Sequence, residues 1–202
     1  PSAPLATPEQ ATLSNGLEVQ LVRRTDLPIV TMVLGVEGGY AADQGARWGT
    51  AAFAAEMLDE GTRTRTALQV ADGLERAGAR LYSQAALDVT VITLMALTDK
   101  LDPALDIFAD VVLHPAFPAS DMERTRRVID ARIRQEKVSP TGMGLRTLPQ
   151  FLYGRDHAYS QPLTGSGTEA TIAAMTREDL VAFHQHWFKP NHARLFVVGD
   201  VS

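Results

Sequence analysis

The chain has no cysteine among its 202 residues. Disulfides, thiolate-held zinc and a cysteine nucleophile are thereby excluded. It also lacks any run of about 18 apolar residues, so no membrane-spanning helix is expected. Positive charge is short: 19 Lys and Arg stand against 24 Asp and Glu, a net charge of −5. That balance favours neither nucleic acid nor an anionic lipid surface as a partner. Aromatic residues are only 6% of the chain, so its packing must rest mainly on aliphatic side chains. There is no internal repeat. The Gly-rich turn "GSGT" at 165–168 has neither a P-loop lysine nor a preceding strand, which leaves little for a phosphate site. His184 and His186 are two apart on a predicted helix, where they diverge by about 200° and cannot share one ion. His114, His157 and His192 sit by prolines or in loops and read as structural or exposed. No Ser/His/Asp set and no pair of carboxylates stands out.

What is present is an ordinary globular composition, 45% apolar and 21% charged, long enough for a core without staples. The lead "PSAPLATPEQ" predicts a flexible arm over residues 1–10. Its Pro/Ala/Ser character also suits a mature exported protein, so a bacterial periplasm or envelope is the expected location, with the cytoplasm as alternative. Asn15-Gly16 between two apolar runs predicts a hairpin. "PIVTMVLGV" reads as a buried strand. Residues 47–60 read as a helix ended by Gly61, with Asp59 and Glu60 on a solvated face. A second helix carries Ala67, Val70, Ala71 and Leu74 on one stripe, with Gly78 after it. "ARLYSQAALDVTVITLMAL" predicts two strands with a break near 85–87, both faces partly covered. Helices follow from Pro103 to about His114, from Ser120, over about 143–153, and after Thr168 and Thr176. "ARLFVVGDVS" predicts a last buried strand. The order predicts an α+β fold: a mostly antiparallel sheet with helices packed on one side. Residues 11–202 are expected to form that single domain, the N-terminal half of a longer two-domain subunit.

One stretch has the frame of a metal helix without the metal's ligands. In an H-x-x-E-H helix two histidines at i and i+4 hold zinc while the Glu beside them takes a proton from water. A third ligand comes from another helix. "GARWGTAAFAAEMLDEGT", with "LSNGLEVQLV", "LERAGARLYSQAALDVTVITL", "VLHPAFPASDMERTRRVIDARIRQE" and "YGRDHAYSQPLTGSGTEA", resembles the N-terminal domain of the insulinase/pitrilysin zinc peptidases, which include mitochondrial processing peptidase. The resemblance covers nearly all of residues 10–202. It implies a metalloenzyme domain of the LuxS/processing-peptidase kind. It also places the two histidine ligands at Ala52 and Glu56, the base at Ala55 and the third ligand at Arg132. All four roles are lost, so no catalytic or metal-binding residue is expected here.

The resemblance further implies a catalytically inactive subunit. It would pair as a heterodimer with a homologous H-x-x-E-H subunit, which holds the zinc, and help form a chamber for a peptide substrate. The alternative is a scaffold or assembly protein with no role in proteolysis; an active hydrolase with an unrecognised site has no residue set in its favour. Tyr82, Ser83, Gln84 and Ala85 fall on the strand that pairs with bound peptide in active relatives, against the plainer reading of a core strand. Glu56 and Arg132, an acid and a base at two former ligand positions, are expected to form an ion pair between their helices.

Overall fold

The computed structural model describes residues 7–201. A sheet of six strands is built from β1 (Glu9–Thr12), β2 (Glu18–Arg23), β3 (Ile29–Val36), β4 (Arg80–Ala85), β5 (Thr90–Leu97) and β6 (Ala193–Gly199), in the spatial order β1-β2-β6-β3-β5-β4. Every neighbouring pair is antiparallel except β2 and β6, which run parallel. The helices are α1 (Thr50–Glu56), α2 (Ala67–Arg76), α3 (Leu101–Leu113), α4 (Ala119–Val138), α5 (Pro140–Tyr153), α6 (Glu169–Ala174) and α7 (Arg177–Trp187). This is the expected α+β arrangement.

Local chemistry explains most of the boundaries. The Asn15-Gly16 turn joins β1 to β2: Gly16 has φ 90°, and the Leu17 N–H donates to Asn15 Oδ1 at 3.1 Å. Residues 1–6 of the expected arm lie outside the described residues; Glu9 and Gln10 are already strand, held by pairing with Leu21 and Gln20. The first helix is shorter than the expected 47–60, ending at Glu56, and Gly61 is not its cap. Gly61 instead forms a bridge with Thr66 at φ 125°. Pro at 103 lies in the first turn of α3, where a missing N–H costs nothing. Helix α4 begins one residue before Ser120, after Pro118. Thr176 and Asp179 cap α7 reciprocally, and the shorter Asp reaches: its Oδ2 accepts from the Thr176 N–H at 2.8 Å.

The core lies on one face of the sheet. Val30, Met32, Leu34 and Val36 of β3 and Ile92, Leu94 and Ala96 of β5 meet Phe53, Val111, Ile129 and Ile133 from the helices and Leu58 from the turn after α1. Fully burying each large aliphatic or aromatic side chain contributes about 1.5–3 kcal/mol. The other face differs from the expectation for β5. Val91 and Thr93 are half-buried, yet Met95, Leu97, Phe196 and Val198 are exposed. A run of apolar residues on both faces reads as two-sided cover, but only one face carries helices in the described residues. Helix α2 corrects a second detail, since Ala71 is exposed and Val70 is its buried residue. Gly73 lets α3 approach: a Cβ there would meet Ile107 Cδ1 at 2.6 Å.

Candidate functional site

Helix α1 is set in place by the loop before it. Gly49, its N-cap, has φ 97°, and a Cβ there would meet Ile172 Cδ1 at 2.8 Å. It has no side chain to cap the helix. That role falls to Asp43, which is fully buried and accepts from the Gly49 N–H at 2.8 Å and the Ala51 N–H at 3.0 Å. Burial pushes the Asp43 carboxyl up to about 7, against the downward pull of the backbone N–H groups of Ala51, Gly49 and Thr50. Sequence reasoning missed this residue. An Asp six positions before a glycine helix start is a cap at a distance, with no local spacing to betray it.

Along α1, Ala55 is buried and Ala52 half-buried, one turn from Glu56. Across from them on α4, 76 residues on, Arg132 meets Glu56 with two parallel bonds, Nη1–Oε1 at 2.5 Å and Nη2–Oε2 at 3.2 Å. The expected pair is therefore present, in the two-pronged geometry that suits a guanidinium and a carboxylate. Its side chains are 27% (Glu56) and 44% (Arg132) exposed, so water screens it and its net contribution is about 1 kcal/mol or less. Arg132 is not needed to relieve repulsion between Glu56 and Glu60, because Glu60 has its own cation, Arg124. Asp59 and Glu60 do not form a solvated face. Both are half-buried, and burial raises both carboxyls. Two ion pairs eight residues apart on α4 thus join it to the α1 segment.

One turn beyond Arg132, Glu136 holds a tighter network. Its Oε2 accepts from Arg146 Nη1 at 2.6 Å, Ser166 Oγ at 2.8 Å and Thr164 Oγ1 at 3.1 Å. Arg146 Nη2 also donates to the Gly167 carbonyl at 2.7 Å. The Arg146 and Glu136 side chains are 9% and 12% exposed. The 161–168 loop, with its "GSGT", is thus pinned to α4 and α5 by an ion pair that no local spacing announces.

These residues do not suit the zinc that the H-x-x-E-H frame implies. Ala52 and Ala55 have no donor atom, Arg132 brings a fixed positive charge, and both Glu56 oxygens are taken. No group of three His, Asp or Glu that could hold a metal ion occurs among the described residues. His184 and His186 diverge: His184 Nε2 lies 2.8 Å from the Val112 carbonyl and its ring stacks on Phe188, while His186 meets Trp187 edge-on.

Strand β4 forms one edge of the sheet beside α1. The Ala86 N–H donates to the Val89 carbonyl, which makes 86 and 89 a hydrogen-bonded pair. With Gln84 opposite Val91 and Tyr82 opposite Thr93, the alternation of an antiparallel ladder turns the N–H and C=O of Leu81, Ser83 and Ala85 to the open side. Tyr82 is exposed on the opposite sheet face from α1. The Ser83 hydroxyl is buried and finds no partner.

The insulinase pattern, peptidase family M16, matches residues 19–163 of this chain. The chain belongs to the insulinase family. A second pattern, the peptidase M16 inactive domain, matches residues 174–202. Among solved structures, the peptidase M16 inactive domain from Pseudomonas fluorescens is 30% identical, with a TM-score of 0.92 over 97% of this chain and 47% of that one. An uncharacterized zinc protease of Mycobacterium leprae is 31% identical over 96% of this chain and 43% of its own length. The periplasmic protease PqqL from Escherichia coli shares the fold at 23% identity, with a TM-score of 0.84 over 96% of this chain and 22% of that one. The insulinase-family chain described here thus spans less than half the length of these relatives.

Proposed function

We propose that this chain is the non-catalytic part of an insulinase-type peptidase, and that it pairs with a homologous subunit that holds zinc through an H-x-x-E-H helix. The observation that carries the reading is the Glu56–Arg132 pair standing across α1 and α4 where two ligands would meet, inside an otherwise kept family frame. Ala52, Ala55, Glu56 and Arg132 would hold no zinc and offer no free general base in this chain, so zinc belongs to the partner. The chain's contribution is a wall of the substrate chamber, with the open edge of β4 at Tyr82–Ala85 as the place where an extended peptide can add a strand to the sheet. The periplasm or envelope is the proposed compartment, in keeping with the periplasmic protease that shares the fold.

The test has two parts. Metal analysis of the purified protein should find well below one zinc per chain, and the protein alone should cleave no peptide. Mixing it with an H-x-x-E-H homologue from the same source should raise peptidase activity well beyond the sum of the two. Activity that stays flat across the titration overturns the subunit reading and favours a scaffold of the same fold. A chelator-sensitive activity in the chain alone overturns both.

A further inference from the structure

Just beyond the end of β4 lies a cluster that the emptied metal site does not use. The Tyr153 and His157 rings stack with centroids 5.3 Å apart, and Tyr159 meets His157 at 5.2 Å and Tyr153 at 5.6 Å, both edge-on. The cluster is fixed from two sides. His157 Nδ1 accepts from the Tyr159 N–H at 3.0 Å, and the Tyr159 hydroxyl donates to Asp88 Oδ1 at 2.8 Å. Asp88 sits in the turn between β4 and β5, so this bond brings the rings from the end of α5 to the end of the open strand. Tyr153 is 46% exposed, and Asp88 and His157 are exposed as well. Arg155 and Asp156, just before His157 in the chain, carry opposite charges.

Ring faces beside a carboxylate form a receptor for a cation. A guanidinium or ammonium within about 6 Å of a ring centroid is drawn to the negative ring face, and a nearby carboxylate adds a charge-assisted bond. An apolar side chain would use the rings but leave Asp88 unanswered, so the charge favours a basic one. A peptide added antiparallel to β4 runs opposite to it, so its N-terminal end lies at Ala85. At about 3.3 Å per residue, one or two further residues reach the Asp88 turn.

We propose that Asp88, Tyr153, His157 and Tyr159 bind an arginine or lysine side chain one or two residues N-terminal to the stretch of an extended peptide that pairs with β4. The inference rests on the proposed edge pairing at Leu81, Ser83 and Ala85, and adds a specificity element to it.

Two N-acetylated peptides test it on the full-length protein, each six alternating threonines and valines led by one residue, arginine in one and glutamine in the other. The arginine peptide should bind about five- to tenfold more tightly, a preference that shrinks as salt rises. Asp88→Asn keeps an acceptor for Tyr159 and should bring the preference below about twofold while leaving the glutamine peptide unchanged. Tyr153→Leu should lower the preference in part, and provides a second reading if Asp88→Asn fails to fold. Ser83→Pro removes an outward N–H without touching the β4–β5 ladder, and should abolish binding of both peptides. Equal binding of the two peptides to the wild type overturns the cation site and leaves the edge reading standing. Binding of neither peptide overturns both.

Discussion

At the scale of single residues, two ion pairs four positions apart on one helix should behave very differently. Arg132 and Glu56 are open to water, and Arg146 and Glu136 are nearly closed to it. A double-mutant cycle with Glu56→Gln and Arg132→Met should give a coupling of about 0.5–1 kcal/mol in denaturant unfolding. Arg146→Met strands a buried carboxylate that also holds Ser166 and Thr164, and should cost about 3–5 kcal/mol. Equal losses at the two sites would contradict the burial argument. Asp43 supplies a pH dependence of definite sign. Its folded carboxyl sits at about 7, above the ordinary carboxylate value, so the folded state binds its proton more tightly than the unfolded chain. The resulting stability is complete at acid pH below about 4 and is lost as pH rises from there through about 7. Asp43→Asn has no proton to release. The stability difference between wild type and this variant, measured from pH 4 to 7.5, should move against the wild type as pH rises; parallel curves would refute it.

At the scale of elements, the ligand positions proposed on α1 and α4 make a direct prediction about register. If α1 and α4 keep the frame of a zinc site, Ala52→His, Glu56→His and Arg132→Glu together should create one. The triple variant should bind about one zinc per chain, read by calorimetry, and zinc should raise its Tm. A variant that folds but ignores zinc would show that the helices have drifted apart. The same elements show what could be read beforehand. The hairpin, the strands and the Thr176–Asp179 cap were legible because their signals are local: Asn-Gly, period-two alternation, and Thr with an acid three positions on. The Glu56–Arg132 pair was legible because the family frame set α1 against α4. The early end of α1, the Asp43 cap and the Glu136–Arg146 network were not. None follows a spacing rule: the Asp43 cap closes a loop onto the start of α1, and the Glu136–Arg146 network folds the 161–168 turn onto α4. Asp59 and Glu60 misled for a related reason, since paired acids look solvated until a cation from another helix covers one of them.

At the scale of the molecule, the sheet has two unlike faces. One is buried under helices, while Met95, Leu97, Phe196 and Val198 stand exposed on the other. An exposed apolar patch of that kind drives association in water. This chain should therefore bind a hydrophobic dye and self-associate with concentration. Phe196→Ser with Met95→Gln should reduce both by several-fold in dye titration and sedimentation, with little change in unfolding midpoint.

The strand order carries a consequence for how the chain reaches this shape. β6 lies between β2 and β3 and supplies the link that joins the β1–β2 hairpin to the antiparallel β3–β5–β4 set in the sheet. Until residues 193–199 exist, the two pieces have no strand in common. Assembly on the ribosome therefore waits: at about 5–20 residues per second, roughly 8–34 seconds separate synthesis of β2 from that of the strand that seats it. During that interval the edges of β2 and β3 are open to other chains, and a holding chaperone has its reason to bind. Refolding of the complete chain should show the same delay as a slow phase, with hydrogen-exchange protection in β2 and β6 appearing together and after that in β4 and β5.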